Sequence, residues 1–245
     1  MSDYSFFHLD SRYYIHQPIS RNMLFTHAEF GAQDKKLITH AVSSLTLLFN
    51  ISAQTLNIPP YKDEEREYAE IQIIEVILQE EKSIERIAGL LMNAIPYPML
   101  LVFRLRDMIQ LYGAHQRTNQ HDASRNVLEP FVKTPWLAED SRLFERLDFT
   151  RFNSANCFTL YTGLLDTISV FTAEQLFYTE QYPVRTPLTG DTARNLIRTV
   201  EVLDNAIAEL KAQMKAETQF GAKAEMNMHL QELVEKRKRL VGGNL

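Results

Sequence analysis

The sequence is poor in cysteine and glycine, and this limits the chemistry it can support. Its 245 residues include one cysteine, Cys157, and eight glycines. A single cysteine excludes an internal disulfide and a cysteine-rich zinc site. There is no glycine-rich phosphate loop, dinucleotide-binding fingerprint, Gly-x-Ser-x-Gly motif or His-Glu-x-x-His motif. These absences weigh against NTPases and dehydrogenases, and we predict no cofactor and no metal centre.

Long apolar runs and an excess of positive charge are also missing. The longest apolar stretches fall short of the roughly 20 residues that a membrane-spanning helix needs. The first residues lack a basic start followed by an apolar core, so we expect no signal peptide and a cytoplasmic, membrane-free protein. A net charge of −5 argues against a protein whose main task is to neutralise a phosphate backbone.

The most strand-prone part of the chain lies between residues 68 and 103. Residues 69–78 are predicted to form a strand that is apolar on both faces towards its end, which is typical of a central position in a sheet. An amphipathic helix from Ser83 to Pro96 and strands at 99–105 and 108–115 follow. The segment predicts an α+β body with a small mixed sheet and flanking helices.

The rest of the chain divides around this body. Residues 1–30 form an aromatic-rich lead-in, residues 31–182 the body, and residues 190–241 a C-terminal helical hairpin. Within the body, apolar spacing predicts further helices over 32–49, 141–147 and 154–170, and a loop over 117–129.

The C-terminal region carries a heptad pattern, the period of a coiled-coil seam. A second apolar set is out of register with the first, so we predict two antiparallel helices, with one long helix dimerising in parallel as the alternative. The candidate partner-binding residues are the apolar positions of both sets: Leu196, Val200, Leu203, Ile207, Leu210, Met226, Leu230 and Leu233.

A few polar residues are candidates for chemistry. Glu75 lies on an apolar strand face, where a carboxylate can act as an acid, a base or a metal ligand. A metal-dependent nuclease would combine it with Glu70 and His115. His121 and Asp122 close to His115 also raise the question of a metal, but scattered surface histidines explain them better.

Three arginines are candidates for a weak nucleic-acid contact. Arg104, Arg106 and Arg117 could form a small basic edge, although acids and bases balance over residues 100–150.

Several blocks of the sequence resemble an uncharacterised prokaryotic family that is known only as a domain of unknown function. The blocks are Pro18-Ile19, Phe25-Thr26-His27-Ala28, Thr55-Leu56-Asn57-Ile58-Pro59, Glu70-Ile71-Gln72 with Glu75, Ala94-Ile95-Pro96-Tyr97-Pro98, Gln219-Phe220 and Glu225-Met226-Asn227. Their order and spacing extend over nearly the whole chain. The resemblance implies a companion of superfamily-two helicases and DNA methyltransferases in restriction-like or phage-defence loci.

These observations predict a non-catalytic accessory or adaptor subunit of a helicase- or methyltransferase-containing defence complex. It would act by protein–protein contacts, with nucleic acid reached through the complex. The two alternatives are the metal-dependent nuclease or other hydrolase based on Glu75, and the weak nucleic-acid-binding module.

Overall fold

The structure is a computed structural model that describes residues 4–27, 30–118, 126–177 and 187–241. The described chain forms two compact units, residues 1–168 and 169–245, and the division falls inside a helix. The first unit holds the sheet and will be called the body; the second holds the helical hairpin.

The helices and strands of the body follow one another along the chain in a mixed order. The strands are β1 Gln17–Pro18, β2 Val42–Ile51, β3 Tyr61–Lys62, β4 Glu67–Tyr68, β5 Ile71–Leu78, β6 Met99–Leu105, β7 Met108–Gly113, β8 Gln116–Thr118, β9 Asn126–Leu128, β10 Val132–Lys133 and β11 Leu137–Ala138. The helices are α1 Arg21–His27, α2 Ala32–Ala41, α3 Ile84–Ala94, α4 Arg142–Arg146 and α5 Cys157–Phe177, with short 3₁₀ helices at Ser5–Phe7, Ser11–Tyr13 and Phe149–Arg151. The last part of α5, from residue 169, belongs to the second unit.

The central sheet is mixed, as the sequence predicts. Its order is β1-β2-β5-β6-β7-β10, and β11 also pairs with β7. Strands β5 and β6 are parallel and are joined through α3, whereas β2–β5 and β6–β7 are antiparallel. The predicted α+β fold with a small mixed sheet is therefore confirmed, and β5 has the predicted central position.

Side chains of alternate residues divide the sheet into two faces. One face carries Ile74 and Val76 of β5, which pack in a single core with α2 and α3. The opposite face carries Ile73 and Glu75 of β5 and Val102 of β6, the register partner of Glu75. Arg104 lies two residues beyond Val102, in register with Ile77. On that second face the buried Tyr161 of α5 donates a hydrogen bond to the carbonyl oxygen of Met99 at 2.7 Å.

The predicted helix over 32–49 is wrong in its second half. Helix α2 ends at Ala41, and the chain becomes extended at Val42, which begins β2. The run Val42–Ile51 is rich in β-branched and large apolar residues, and its ladder with β5 extends over nearly its whole length. Tertiary pairing therefore overrides a spacing that also fits a helix.

Other predicted boundaries are closer to the observed ones. The strand at 99–105 is confirmed, and α4 lies within the predicted helix over 141–147, with the Ser141 hydroxyl accepting from the amide of Leu143. Helix α5 begins three residues later and ends seven residues beyond the prediction. The predicted loop at 117–129 contains parts of the hairpin β8–β9.

The C-terminal unit is built from two long helices, α6 Gly190–Ala216 and α7 Phe220–Val241. Leu240 and Val241 near the end of α7 pack with Ala193 and Leu196 near the start of α6. The helices are therefore antiparallel, which confirms the predicted hairpin. Residues 178–186, which connect α5 to α6, lie outside the described ranges.

Candidate functional site

The feature of the body that packing does not explain is a charged pair on the second face of the sheet. Glu75 of β5 is 6% exposed and Arg104 of β6 is 8% exposed. The Arg104 Nε lies 3.7 Å from Glu75 Oε1. Removing two charges from water is costly, and apolar residues of similar volume are often at least as stable in their place. The pair is therefore the first candidate for a function.

Tyr4 of the lead-in packs over this pair and contacts both charged side chains. Its hydroxyl donates a hydrogen bond to Glu75 Oε1, and its ring centroid lies 5.7 Å from the Arg104 guanidinium carbon. On the other side, Arg104 Nη2 forms an ion pair with Glu139, which follows β11. Together Tyr4, Glu75, Arg104 and Glu139 make up what we call the Glu75 cluster.

The electrostatics of the cluster favour hydrogen-bond recognition. Burial raises the pKa of the Tyr4 hydroxyl, and the hydrogen bond to Glu75 raises it further, so the phenol stays protonated and donates. Tyr14 also has a raised pKa, through burial and then the charge of Glu75. The Arg104 Nη1 atom is buried and has no hydrogen-bond partner among the described residues. The cluster thus holds one bound phenol and one unused donor.

The other two residues of the nuclease hypothesis have different partners. Glu70 accepts hydrogen bonds from Asn50 at 3.1 Å and from Gln72 at 3.0 Å. The Nδ1 atom of His115 lies 2.8 Å from the Tyr68 hydroxyl, inside a group of aromatic rings. Both residues thus have partners other than Glu75, and the nuclease stays a prediction. Across residues 4–27, 30–118, 126–177 and 187–241, no group of three or more His, Cys, Asp or Glu side chains is arranged to hold a metal ion.

Burial perturbs the aromatic group around His115. It raises the pKa of Tyr68 to about 12, against the opposing effect of the hydrogen bond from the Gln116 amide. The nearby Cys157 thiol is also buried, which raises its pKa to about 11. A thiol with so high a pKa is a poor nucleophile at neutral pH, so Cys157 is a structural residue. His121 and Asp122 lie outside the described ranges.

The three arginines of the nucleic-acid hypothesis occupy different environments. Arg104 is buried in the Glu75 cluster. Arg106 is exposed in the β6–β7 turn, with φ at 56°, and the Arg117 Nε lies 3.6 Å from Glu129. Glu129 is also paired with Arg66, so its charge is shared between two bases. The basic edge stays a prediction.

The predicted partner-binding residues lie along the seam of the hairpin. Leu196, Val200, Leu203 and Ile207 of α6 are buried. The remaining four are half-buried: Leu210, Met226, Leu230 and Leu233. Among the described residues the side chains that the seam leaves outside are different ones, chiefly Val202, Phe220 and Met228.

Sequence reasoning missed Tyr4 and Glu139. Tyr4 stood out only as one of many aromatic residues in the lead-in, and it pairs with a residue 71 positions away. No local spacing signals such a contact. Glu75 itself was found because a carboxylate interrupts an otherwise apolar strand face.

Comparison with known families identifies the chain. A family model described as a domain of unknown function, DUF4391, matches residues 7–236. The chain belongs to the DUF4391 family. Comparison with curated proteins gives no match, and comparison with solved structures gives none either.

Residues from three of the sequence blocks that carry the family resemblance meet around one apolar cavity. It has a volume of about 260 Å³ and is lined by residues 17–19 of the lead-in, by Met23 and Leu24 of α1, by Leu47 and Gln72 of the sheet, and by residues 94–96. A second, more polar depression of about 490 Å³ shares Pro18 and Ile19 with it.

No helix within the described residues is long and apolar enough to cross a bilayer.

Proposed function

We propose that this protein is a non-catalytic accessory subunit, an adaptor, of a helicase- or methyltransferase-containing complex of the restriction-like or anti-phage type. The class of partner comes from the family resemblance. The chain's own part is to bind that partner through protein–protein contacts, and nucleic acid is reached through the complex.

The observation that carries the proposal is the outer surface of the hairpin. Phe220 is 88% exposed, Met228 is 63% exposed and Val202 is 61% exposed, and these are the most exposed large hydrophobic side chains in the described residues. Met228 follows Met226 of the seam by two positions, which turns it about 200° around the helix. Exposed aromatic and methionine side chains are enriched at the centres of protein interfaces.

The sheet edges offer little for a partner strand, which supports the hairpin as the contact. At one edge β1 is two residues long and contains Pro18, which has no N–H to donate. At the other edge β7 pairs with β10 and β11, which are two residues each and are separated by Pro135. Short strands and prolines protect a sheet edge from pairing with another chain.

Co-purification tests the proposal. The full-length chain carrying an affinity tag would be co-expressed with any helicase and any methyltransferase encoded beside its gene. We expect one of them to be retained, and Phe220→Ser with Met228→Ser to reduce retention at least about tenfold. Met108→Ser is the matched control, since Met108 is an exposed methionine of the body.

The salt dependence of retention separates this proposal from the weak nucleic-acid module. An apolar contact persists as the salt concentration rises, whereas a bridge of nucleic acid is lost steeply. Failure of both proteins to co-purify at low salt contradicts the proposal.

A further inference from the structure

The lead-in is held on the body by two separate anchors. At the first anchor, Phe7 is fully buried and contacts the rings of Phe49 and Phe149 edge to face. At the second, the amides of Ile15 and Ile19 donate to the carbonyl oxygens of Leu48 and Leu45 on β2, at 2.9 and 2.8 Å. No residue from 8 to 18 is buried. The first anchor, residues 4–7, is thus a short aromatic segment on an exposed tether.

Tyr4 is the first residue of this anchor. Its side chain is held by charged groups of the sheet, as a small-molecule ligand would be. The Arg104 guanidinium lies over its ring, and the Glu75 carboxylate accepts its hydroxyl. Tyr4 as a whole is 5% exposed, and its ring packs edge to face against the ring of Phe6. A cation over a ring face and a charged acceptor for the hydroxyl together distinguish a phenol from a plain benzene ring.

The two charges stand on a sheet face that is largely apolar around them. Glu75 and Arg104 interrupt a sheet face whose neighbours are Ile73, Val102 and Ile109. The unused Nη1 donor of Arg104 shows that Tyr4 does not satisfy the guanidinium completely. A tyrosine whose segment also brings an acceptor to this donor would make a hydrogen bond that Tyr4 does not make.

We propose that Glu75 and Arg104 form a recognition site for a phenol, that the chain fills this site with its own Tyr4, and that a tyrosine on a partner segment replaces Tyr4 during assembly. The last step rests on the proposed function, and the first two do not. Because the tether keeps Tyr4 at an effective concentration in the millimolar range, a free phenol at lower concentration does not displace it.

Emptying the site tests its chemistry. The full-length chain with Tyr4→Ala would be titrated with p-cresol and with toluene, which differ only by the hydroxyl, and followed by ligand-observed NMR. We expect p-cresol to bind the variant about ten- to a hundredfold more tightly than toluene, since a hydrogen bond to a charged acceptor is lost with toluene. The unmodified chain should not bind p-cresol at concentrations that saturate the variant.

Adding Glu75→Gln to Tyr4→Ala should remove most of the preference for p-cresol. Equal binding of p-cresol and toluene to Tyr4→Ala, or binding of neither, overturns the recognition site. These titrations need no partner, so a failure of the proposed function leaves their outcome unchanged.

A milder variant covers the case in which Tyr4→Ala does not fold. Tyr4→Phe keeps the ring and loses only the hydroxyl. The backbone amides of Phe7 and His8 donate to the carbonyl oxygens of Tyr4 and Ser5, at 3.2 and 2.8 Å. Because the first anchor is then held less tightly, these amides should exchange with solvent deuterium about tenfold faster. Unchanged exchange overturns the role of Tyr4 as the bound group. In the same assay, binding of the partner to the unmodified chain should increase the exchange rate of these amides. An unchanged exchange rate overturns the replacement step.

Discussion

Ion pairs and large apolar side chains have opposite environments in the body and in the hairpin. In the body, the ion pair Glu75–Arg104 is buried, and both faces of the sheet are covered. In the hairpin, the ion pair Asp204–Arg237 lies at 2.5 Å with side chains 45% and 36% exposed, and no described residue of α7 is buried. The hairpin also carries the most exposed apolar side chains.

The difference follows from how many neighbours each element has. A strand in the centre of the body has packed layers on both faces, so polar groups placed there must find partners. The hairpin helices pack on each other along one seam, and near its start α6 also packs against Val170 and Ala173 of α5. The outer side of each helix contributes nothing to the pairing of α6 with α7. Apolar residues on that outer side are therefore free to serve a contact with another protein, while the polar cluster of the body is closed by the chain itself.

The largest expected effect compares the two ion pairs. Arg104→Ala leaves the Glu75 carboxylate buried beside Tyr4 alone, which should lower the free energy of unfolding by about 3–5 kcal/mol. Arg237→Ala removes a solvent-screened pair and should cost at most about 1 kcal/mol. Urea unfolding followed by the fluorescence of Trp136, the single tryptophan, reports on the body, and far-UV circular dichroism reports on the helices. Equal losses would contradict the contrast.

Alkaline pH should destabilise the body selectively. Because the pKa of Tyr68 is raised from 10.0 to about 12 in the folded chain, its neutral form stabilises the fold. This contribution is complete below pH 10 and is lost as the pH rises from there through about 12, a loss of at most about 3 kcal/mol.

A matched variant isolates this contribution. Tyr68→Phe should flatten the part of the pH–stability curve that Tyr68 causes, leaving the slope due to Tyr4 and Tyr161, whose pKa values burial also raises. Residues 187–241 contain no tyrosine, so their helical signal should be insensitive over this range unless it depends on the body. An unchanged curve in Tyr68→Phe would contradict the role of Tyr68.

Two glycine substitutions should act with opposite signs. A Cβ at Gly113 of β7 would collide with Leu165 and lie 3.1 Å from the Tyr161 hydroxyl, so Gly113→Ala should cost about 1–3 kcal/mol. A Cβ at Gly221 of α7 meets nothing within 4 Å, so Gly221→Ala should stabilise the helix by about 0.5–1 kcal/mol. Thermal unfolding of both variants checks the signs, and a stabilised Gly113→Ala would show that the body has room there.

The smallest expected effect on stability is at the exposed end of the hairpin. Phe220→Ser removes a side chain that is 88% exposed and should change the free energy of unfolding by less than about 0.5 kcal/mol. A larger loss in denaturant unfolding would mean that Phe220 belongs to the fold, and its exposure would lose its functional meaning.

Much of this arrangement follows from local patterns in the sequence. The apolar strand at 71–78, the helix ended by Pro96 and the heptads of α6 each carry their own period, and each is found in the structure. The change from helix to strand at Val42 has no local marker, because only the ladder with β5 decides it. The Glu75 cluster was half predicted: a carboxylate on an apolar strand is visible in the sequence, but its partners Tyr4 and Glu139 come from distant segments that only the fold brings together.

The most direct test is the affinity of the full-length chain for the proposed helicase or methyltransferase partner, measured by titration calorimetry with the unmodified chain, Phe220→Ser and Met108→Ser. The account predicts that Phe220→Ser weakens binding at least about tenfold while its folding stability is unchanged, and that Met108→Ser binds like the unmodified chain. If Phe220→Ser binds as tightly as the unmodified chain while Met108→Ser binds more weakly, the partner contacts the body, and the hairpin is not the docking surface.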